Sequence, residues 1–488
     1  MYNKKSCILL FLFVMVVKLN AQFSGYNVSE FQYGNIPGYE PKDRNTLYNQ
    51  FNLLYREKNL KIKLRSELFY SNDSVNIDKI SLSQLSVSYK IDDFKFHAGN
   101  MYETLGRGLL LRSYEVTGSI YESRSFRAKH AFYRDVLGVS TEYNHKIFSI
   151  KMLHGKVLNN LLPPGYEERR TDLISAFEST LTLFDQTLGG RIMRWDASGK
   201  ESFYSSASME GVLPFRFLYY SEFMFDQDDG RGLYASISNS FWNIGFSLEY
   251  KNFQNIFIGS GISDPPTLVK EQSYKLLNRS THETNLFHEE GYQFELYYTF
   301  PDLSVITFNT SRAVNDISSR NIFYEYFVEY SLPVGSQSSI KTFFDWSASS
   351  LFSENQRLAG GTYFSVYLAD GFSGILDFQY QQIKRENAVI SSSINNLFSS
   401  VSISKSNKLS LSLLYEFTDD PWYVDRPDTE KNEKVRHFPG INLGYKPSEK
   451  INISLFAGSR RGGPACTAGI CYEVLDFEGV EMRITSKF

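Results

Sequence analysis

The sequence predicts an all-β fold: one large transmembrane antiparallel up-and-down β-barrel of about 26 strands, within a range of roughly 22–26. Three observations predict it. A two-residue alternation of apolar and polar side chains returns along the whole chain. The connections between alternating runs are short and long in turn. An export signal stands at the N-terminus, and no later apolar run approaches the ~18 residues of a membrane helix.

The signal comes first. Lys4 and Lys5 precede an apolar run from Ile8 to Val17, and Leu19-Asn20-Ala21 offers a small residue for cleavage before Gln22. Residues 1–21 are therefore expected to be removed, leaving a barrel over 22–488. Cys7 lies ahead of the apolar run with no small-residue box before it, which argues against a lipid anchor. Formal charge is −3, and −6 once Lys4, Lys5 and Lys18 are removed. A balance so mild for this length gives no reason to expect a nucleic-acid partner.

The strands follow. In NLKIKLRSELFY (59–70), Leu60, Ile62, Leu64, Leu68 and Tyr70 share one face, while Lys61, Lys63, Arg65 and Glu67 share the other. The same pattern recurs in VLGVSTEY (136–143), WNIGFSLEY (242–250), YQFELYYTF (292–300) and KLSLSLLYEF (408–417). The apolar face is expected to meet lipid and the charged face a wet lumen, because a closed barrel satisfies every backbone N–H and C=O internally. The 33 Tyr and 40 Phe suit girdles at the two interfaces. A soluble propeller or solenoid would show a repeat of fixed period, and none is visible.

Short connections are read at Glu57–Asn59, Asp92-Asp93, Asn144–Lys146, Asn239-Ser240, Pro301-Asp302, Ala369–Gly371, Ser406–Lys408 and Pro447–Lys450. Longer ones fall between them, the longest at Phe253–Glu290. Such alternation matches short periplasmic turns and long extracellular loops. The strand count is least determined around 115–135 and 184–212. The last run, GVEMRITSKF, sets Val480, Met482, Ile484 and Phe488 on one face. Its terminal Phe488 resembles the signal by which barrel-assembly machinery receives outer-membrane proteins.

Cys466 and Cys471 survive processing. An even pair in an exported chain points to a disulfide closing a small loop, the alternative being two free thiols. The pair alone does not suggest a metal site, since zinc usually takes four ligands.

Two stretches, GNMYETLGRGLLLRSYE (99–115) and DPPTLVKEQSYKLLNR (264–279), resemble an uncharacterised, porin-like family of outer-membrane β-barrel proteins from Bacteroidota. The C-terminal RRGGPACTAGICYEVLDFEGVEMRITSKF (460–488) is similar too, and the likeness covers most of the mature chain. The resemblance implies a barrel in the outer membrane and supplies no functional residues.

A ring of about 26 strands is roughly 50 Å across at the backbone, so something must narrow it. The best internal candidate is the segment with Gly106-Arg107-Gly108 and Leu109, Leu110 and Leu111 in a row. It is expected to fold into the lumen with Arg107 and Arg112 against acidic wall residues; the alternative is an ordinary rim loop. The 253–290 loop carries Pro265-Pro266 and the apolar anchors Tyr274, Leu276 and Leu277, which suit a lid, a capture surface or a folded cap. The inward charges Lys61, Lys63, Arg65 and Glu67 are candidates for pore selectivity, though alternating charge is expected on any wet wall.

Catalytic and metal chemistry are not indicated. None of the seven histidines lies in a G-x-S-x-G or H-E-x-x-H motif. His282, Glu283, His288, Glu289 and Glu290 match no strong ligand spacing, and Asp226, Asp228 and Asp229 form half a calcium loop without its closing Glu. No cofactor is expected. A TonB-coupled transporter would carry an N-terminal plug of roughly 100 residues, yet spanning alternation begins by Leu47. The expected function is a channel or transporter for a polar solute; the alternative is a non-conducting scaffold with an envelope partner.

Overall fold

The computed structural model describes residues 22–73, 79–197, 199–256, 270, 272–282, 288–316, 320–386, 391–425, 433–467 and 470–488. The expected signal, Pro265-Pro266 and Glu283 lie outside them. Twenty-four antiparallel strands form one sheet. The first, Gln22–Asn35, pairs with Asn45–Glu57 on one side and with the last, Phe477–Lys487, on the other, so the sheet closes. Closure leaves no strand edge unpaired. With ~4.8 Å between strands and a ~40° tilt, the ring is about 48 Å across.

The expected alternation places the outer and inner faces. On Leu409–Thr418, Leu411 and Leu413 are 45% and 54% exposed outside, while Glu416 and Thr418 are buried within. On Leu60–Ser71, Tyr70 is exposed outside, and Arg65, Glu67 and Phe69 are buried inside. The same division on neighbouring strands makes the exterior a continuous apolar band, far larger than the patches a soluble monomer exposes. No described helix is long and apolar enough to cross a membrane.

One end of the barrel carries tight turns, among them Lys58-Asn59, Asp92-Asp93 and Trp242-Asn243. Lys58, Asp92 and Trp242 adopt positive φ there, closing two-residue hairpins with the twist of the flanking strands. Both chain ends of the barrel lie at this end. The other end carries the longest connections, such as 102–135, 158–172 and 255–288, together with short ones such as 227–230 and 350–353.

Two expectations are corrected. The wall has 24 strands rather than about 26. Phe94–Met101 pairs directly with Val136–Asn144, and the intervening Tyr114–Glu122 and Lys129–Arg134 pair with each other, outside the wall. Ala128 to Tyr133 are buried without a break, so this hairpin has no face of its own toward the exterior. The turn expected at Asn239-Ser240 lies at Trp242-Asn243, because the ladder continues through Phe241↔Ile244.

Candidate functional site

Three segments from the long-loop end fold into the lumen. The first is 102–135. Its hairpin Thr104–Leu105/Leu111–Arg112 presents Leu109, Leu110 and Leu111, at most 1% exposed, to an apolar patch on the inner wall. Leu153, Ile174, Met193, Trp195 and Met224 form that patch at positions where a wet wall would be polar. Gly106 passes so close to the wall that a Cβ would lie 2.6 Å from Glu222 Oε2 and 2.8 Å from Arg191 Cζ, and its φ of +58° also favours glycine. Its N–H donates to Glu178 Oε1 at 3.1 Å.

Arg107 and Arg112 were expected against acidic wall residues. The Arg107 guanidinium stacks over the Tyr220 ring at 4.1 Å and donates to Ser236 Oγ at 3.2 Å; Glu222 instead accepts from the Arg107 backbone N–H at 3.4 Å. Arg191 occupies the carboxylates, at 2.6 Å from Glu178 and 3.3 Å from Glu222. Arg112 pairs through its backbone with Thr104.

The second hairpin of this segment packs against the inner face of Gln22–Asn35 and Leu60–Ser71. Lys129 Nζ lies 2.7 Å from Glu30, Glu115 pairs with Arg65, and the Ala131 N–H donates to Glu67 at 2.8 Å. Of the four wall charges singled out from sequence, Arg65 and Glu67 are thus covered, whereas Lys61 and Lys63 stand nearer the tight-turn end. His130 is fully buried. Burial first, and Arg169 second, push its imidazole down to about 4. Burial also pushes the Tyr133 phenol up to about 12.

The second inward segment contains the short helix Lys275–Asn278 of the 255–288 connection. Tyr274 stacks on Phe343 with centroids 3.8 Å apart, and Leu277 packs with Phe327 and Ala359. Leu276 N–H donates to Gln379 at 3.0 Å. His282 stacks on Phe323 and approaches Glu289 at 3.4 Å, while Glu289 also holds Lys251. No cluster of metal-ligating groups occurs among the described residues. Asp226 accepts from the N–H groups of Asp228 and Gly230, which makes that acidic stretch a turn.

The third segment is the hairpin Gly463–Thr467/Ile470–Val474, with Cys466 opposite Cys471 and a disulfide between them. It joins the other two. Asn278 donates to Cys466 O at 2.8 Å and accepts from Cys466 N–H at 2.9 Å, and Tyr472 packs on Phe132 at 5.0 Å. The three segments therefore form one layer across the lumen.

A cavity of about 510 Å³ lies where they converge. Arg127, Lys129, Lys275, Arg279, Arg460 and Arg461 line it, two cations from each segment or its junction with the wall. Burial opposes charge on Glu122, but Lys129, Arg44 and Arg127 outweigh it and hold its carboxyl below the usual range. Burial lowers Lys275, with Glu416 acting against it. Sequence reading did not assemble this cavity, because its residues are spread from Glu30 to Arg483. Elsewhere, Phe488 pairs with Gly25 through both backbone groups, and its ring stacks on Phe51 at 5.7 Å.

Solved structures resemble this fold. A chain of the E. coli P pilus tip assembly intermediate PapC-PapD-PapK-PapG aligns with a TM-score of 0.53 and 10% identity over 97% of this chain and 62% of that one. The P pilus usher (PapC) translocation pore aligns with a TM-score of 0.49 and 12% identity over 96% and 99%. Pseudomonas aeruginosa OccK3 (OpdO) gives 0.44 and 11% over 75% and 96%. At such identities the likeness is one of fold. No curated protein matches the chain. Its residues 2–160 and 228–488 match a family of unknown function, DUF6029, and the chain belongs to that family.

Proposed function

We propose that the protein is an outer-membrane channel for a polar solute, exported by its N-terminal signal and inserted by the barrel-assembly machinery. The carrying observation is the reversal of polarity across a closed wall: Leu409, Leu411 and Leu413 face out, while Ser410, Ser412 and Glu416 face in. Lipid is the medium that an apolar ring of this size suits, and water suits the lumen. The inward layer supplies the narrowing that a ring about 48 Å across requires. The reading includes no catalysis, cofactor or nucleic-acid partner.

Because Met101 and Val136 are direct ladder partners, the wall closes without the segment between them. Replacing 102–135 by a two-residue turn should leave a heat-modifiable barrel and raise single-channel conductance in planar bilayers several-fold. An unchanged conductance would sink the assignment of this segment as the constriction. A barrel that stays silent both with and without it, and that purifies with a fixed partner, would replace the channel by a scaffold.

A further inference from the structure

We propose that the cavity between the three inward segments binds a small multivalent oxyanion. This deepens the channel reading, and rests on it, by naming the class of solute.

The argument begins with charge. Glu122 holds Arg44 at 2.7 Å, Arg127 at 3.1 Å and Lys129 at 3.9 Å. Glu416 holds Arg279, Lys275 at 3.3 Å and Arg461 at 3.7 Å. Each carboxylate thus faces three cations across the same space. The neighbouring carboxylates do not restore the balance. Glu30 is shared by Lys129 at 2.7 Å and Arg483 at 2.5 Å, and Glu481 takes Arg460 at 2.7 Å. Asp73 also lies 3.9 Å from Arg44, so among the described residues five carboxylates serve eight cations, all eight of which line the cavity. Of its other described acids, Glu473 holds Arg124 at the outer edge, while Asp476 accepts from Gly462 N–H and adds one more negative charge, so eight cations still face six carboxylates.

Uncompensated charge in a confined site is costly, and a bound anion removes the cost. Hydrogen bonding points the same way. Among the described residues the buried Nε atoms of Arg460 and Arg461 meet no hydrogen-bond acceptor, and that of Arg44 has only Asp73, 3.9 Å away; a buried donor left so is destabilising. The guanidinium fork matches the paired oxygens of phosphate and carboxylate groups, so several forks around one space select a polyoxyanion over a halide. A volume of about 510 Å³ admits a small solute and excludes a polymer. Six of the eight cations come from the three inward segments or their junctions with the wall, so an occupant would also tie the lumenal layer together.

The test uses the full barrel in detergent and titrates it calorimetrically with inorganic pyrophosphate, with glucose as the neutral control. Saturable pyrophosphate binding is expected. It should weaken about tenfold or more in the double variant Lys275→Gln/Arg461→Gln and tighten in Glu122→Gln, which removes a competing carboxylate. Lys61→Gln/Lys63→Gln, nearer the tight-turn end, should bind as the parent does. Heat-modifiable migration checks that each variant is folded. A parent barrel giving no saturable heat up to about 10 mM, or variants of equal affinity, would overturn the proposal. Calorimetry needs no conduction, so bilayer recordings separate the two readings. Binding in a silent barrel upholds the site and removes transport; conductance without binding does the reverse.

Discussion

Leu110→Ala tests how the first lumenal segment is held. Leu110 is completely buried, it lies in a tight turn rather than in the wall, and its cluster includes Ile174, Met193 and Trp195 on the inner surface. Removing three carbons from such a site costs about 2–5 kcal/mol, the transfer loss plus the cavity left behind. The wall keeps its ladder, because Met101 and Val136 pair without help from this residue. The loss therefore falls on docking of the segment. A cost of about 3 kcal/mol moves the docked-to-undocked ratio by roughly 150-fold. Hydrogen–deuterium exchange should show faster exchange over 104–112 with wall strands unchanged, and bilayer recordings should show more frequent openings. Wild-type protection over 104–112 would refute the docking argument. So would an equal loss throughout the wall, since it would make the segment part of barrel stability.

Other outcomes follow from the same contacts. His130 is docked with its pKa lowered to about 4, against about 6.5 when exposed. The undocked state therefore binds more protons between those values. The stabilisation is complete above pH ~6.5 and lost as pH falls toward ~4, by about 3 kcal/mol in total. Arg169, Lys79, Glu67 and the Ala131 carbonyl surround the imidazole. Exchange over 128–134 should accelerate on acidification in the parent and far less in His130→Gln; equal acceleration would assign the effect to another group. Leu413→Arg, on the outer face, should cost about 2–4 kcal/mol in lipid vesicles, while Ser412→Arg, one residue earlier and facing the lumen, should cost much less. Equal costs in urea unfolding would contradict the inside–outside assignment. Reducing Cys466–Cys471, whose closed loop is short, should loosen only its hairpin, by about 2 kcal/mol. Tyr472 and Cys466 would lose exchange protection, and conductance noise would rise; an unaffected hairpin would show that Asn278 and Phe132 hold it alone.

The alternation in 59–70 or 408–417 was enough to assign each side chain to a face, because successive residues on a strand must point oppositely. The Gly106-to-Leu111 stretch was legible as a break in that pattern, and the cysteines as a pair. Sequence left the fate of 115–135 open, since a hairpin inside a lumen and a hairpin inside a wall alternate alike. A usable signal stood elsewhere: Ile174, Met193 and Trp195 are apolar at inward positions, where a wet wall would carry polar groups, which marks a wall covered from within. Which covering segment meets that wall, and that Arg44, Lys129, Lys275 and Arg461 share one space, was decided by the tertiary structure. The physical reason is range. Period-two patterning is set by neighbours along the chain, whereas the balance of charge in a lumen is set by groups that only closure of the ring brings together.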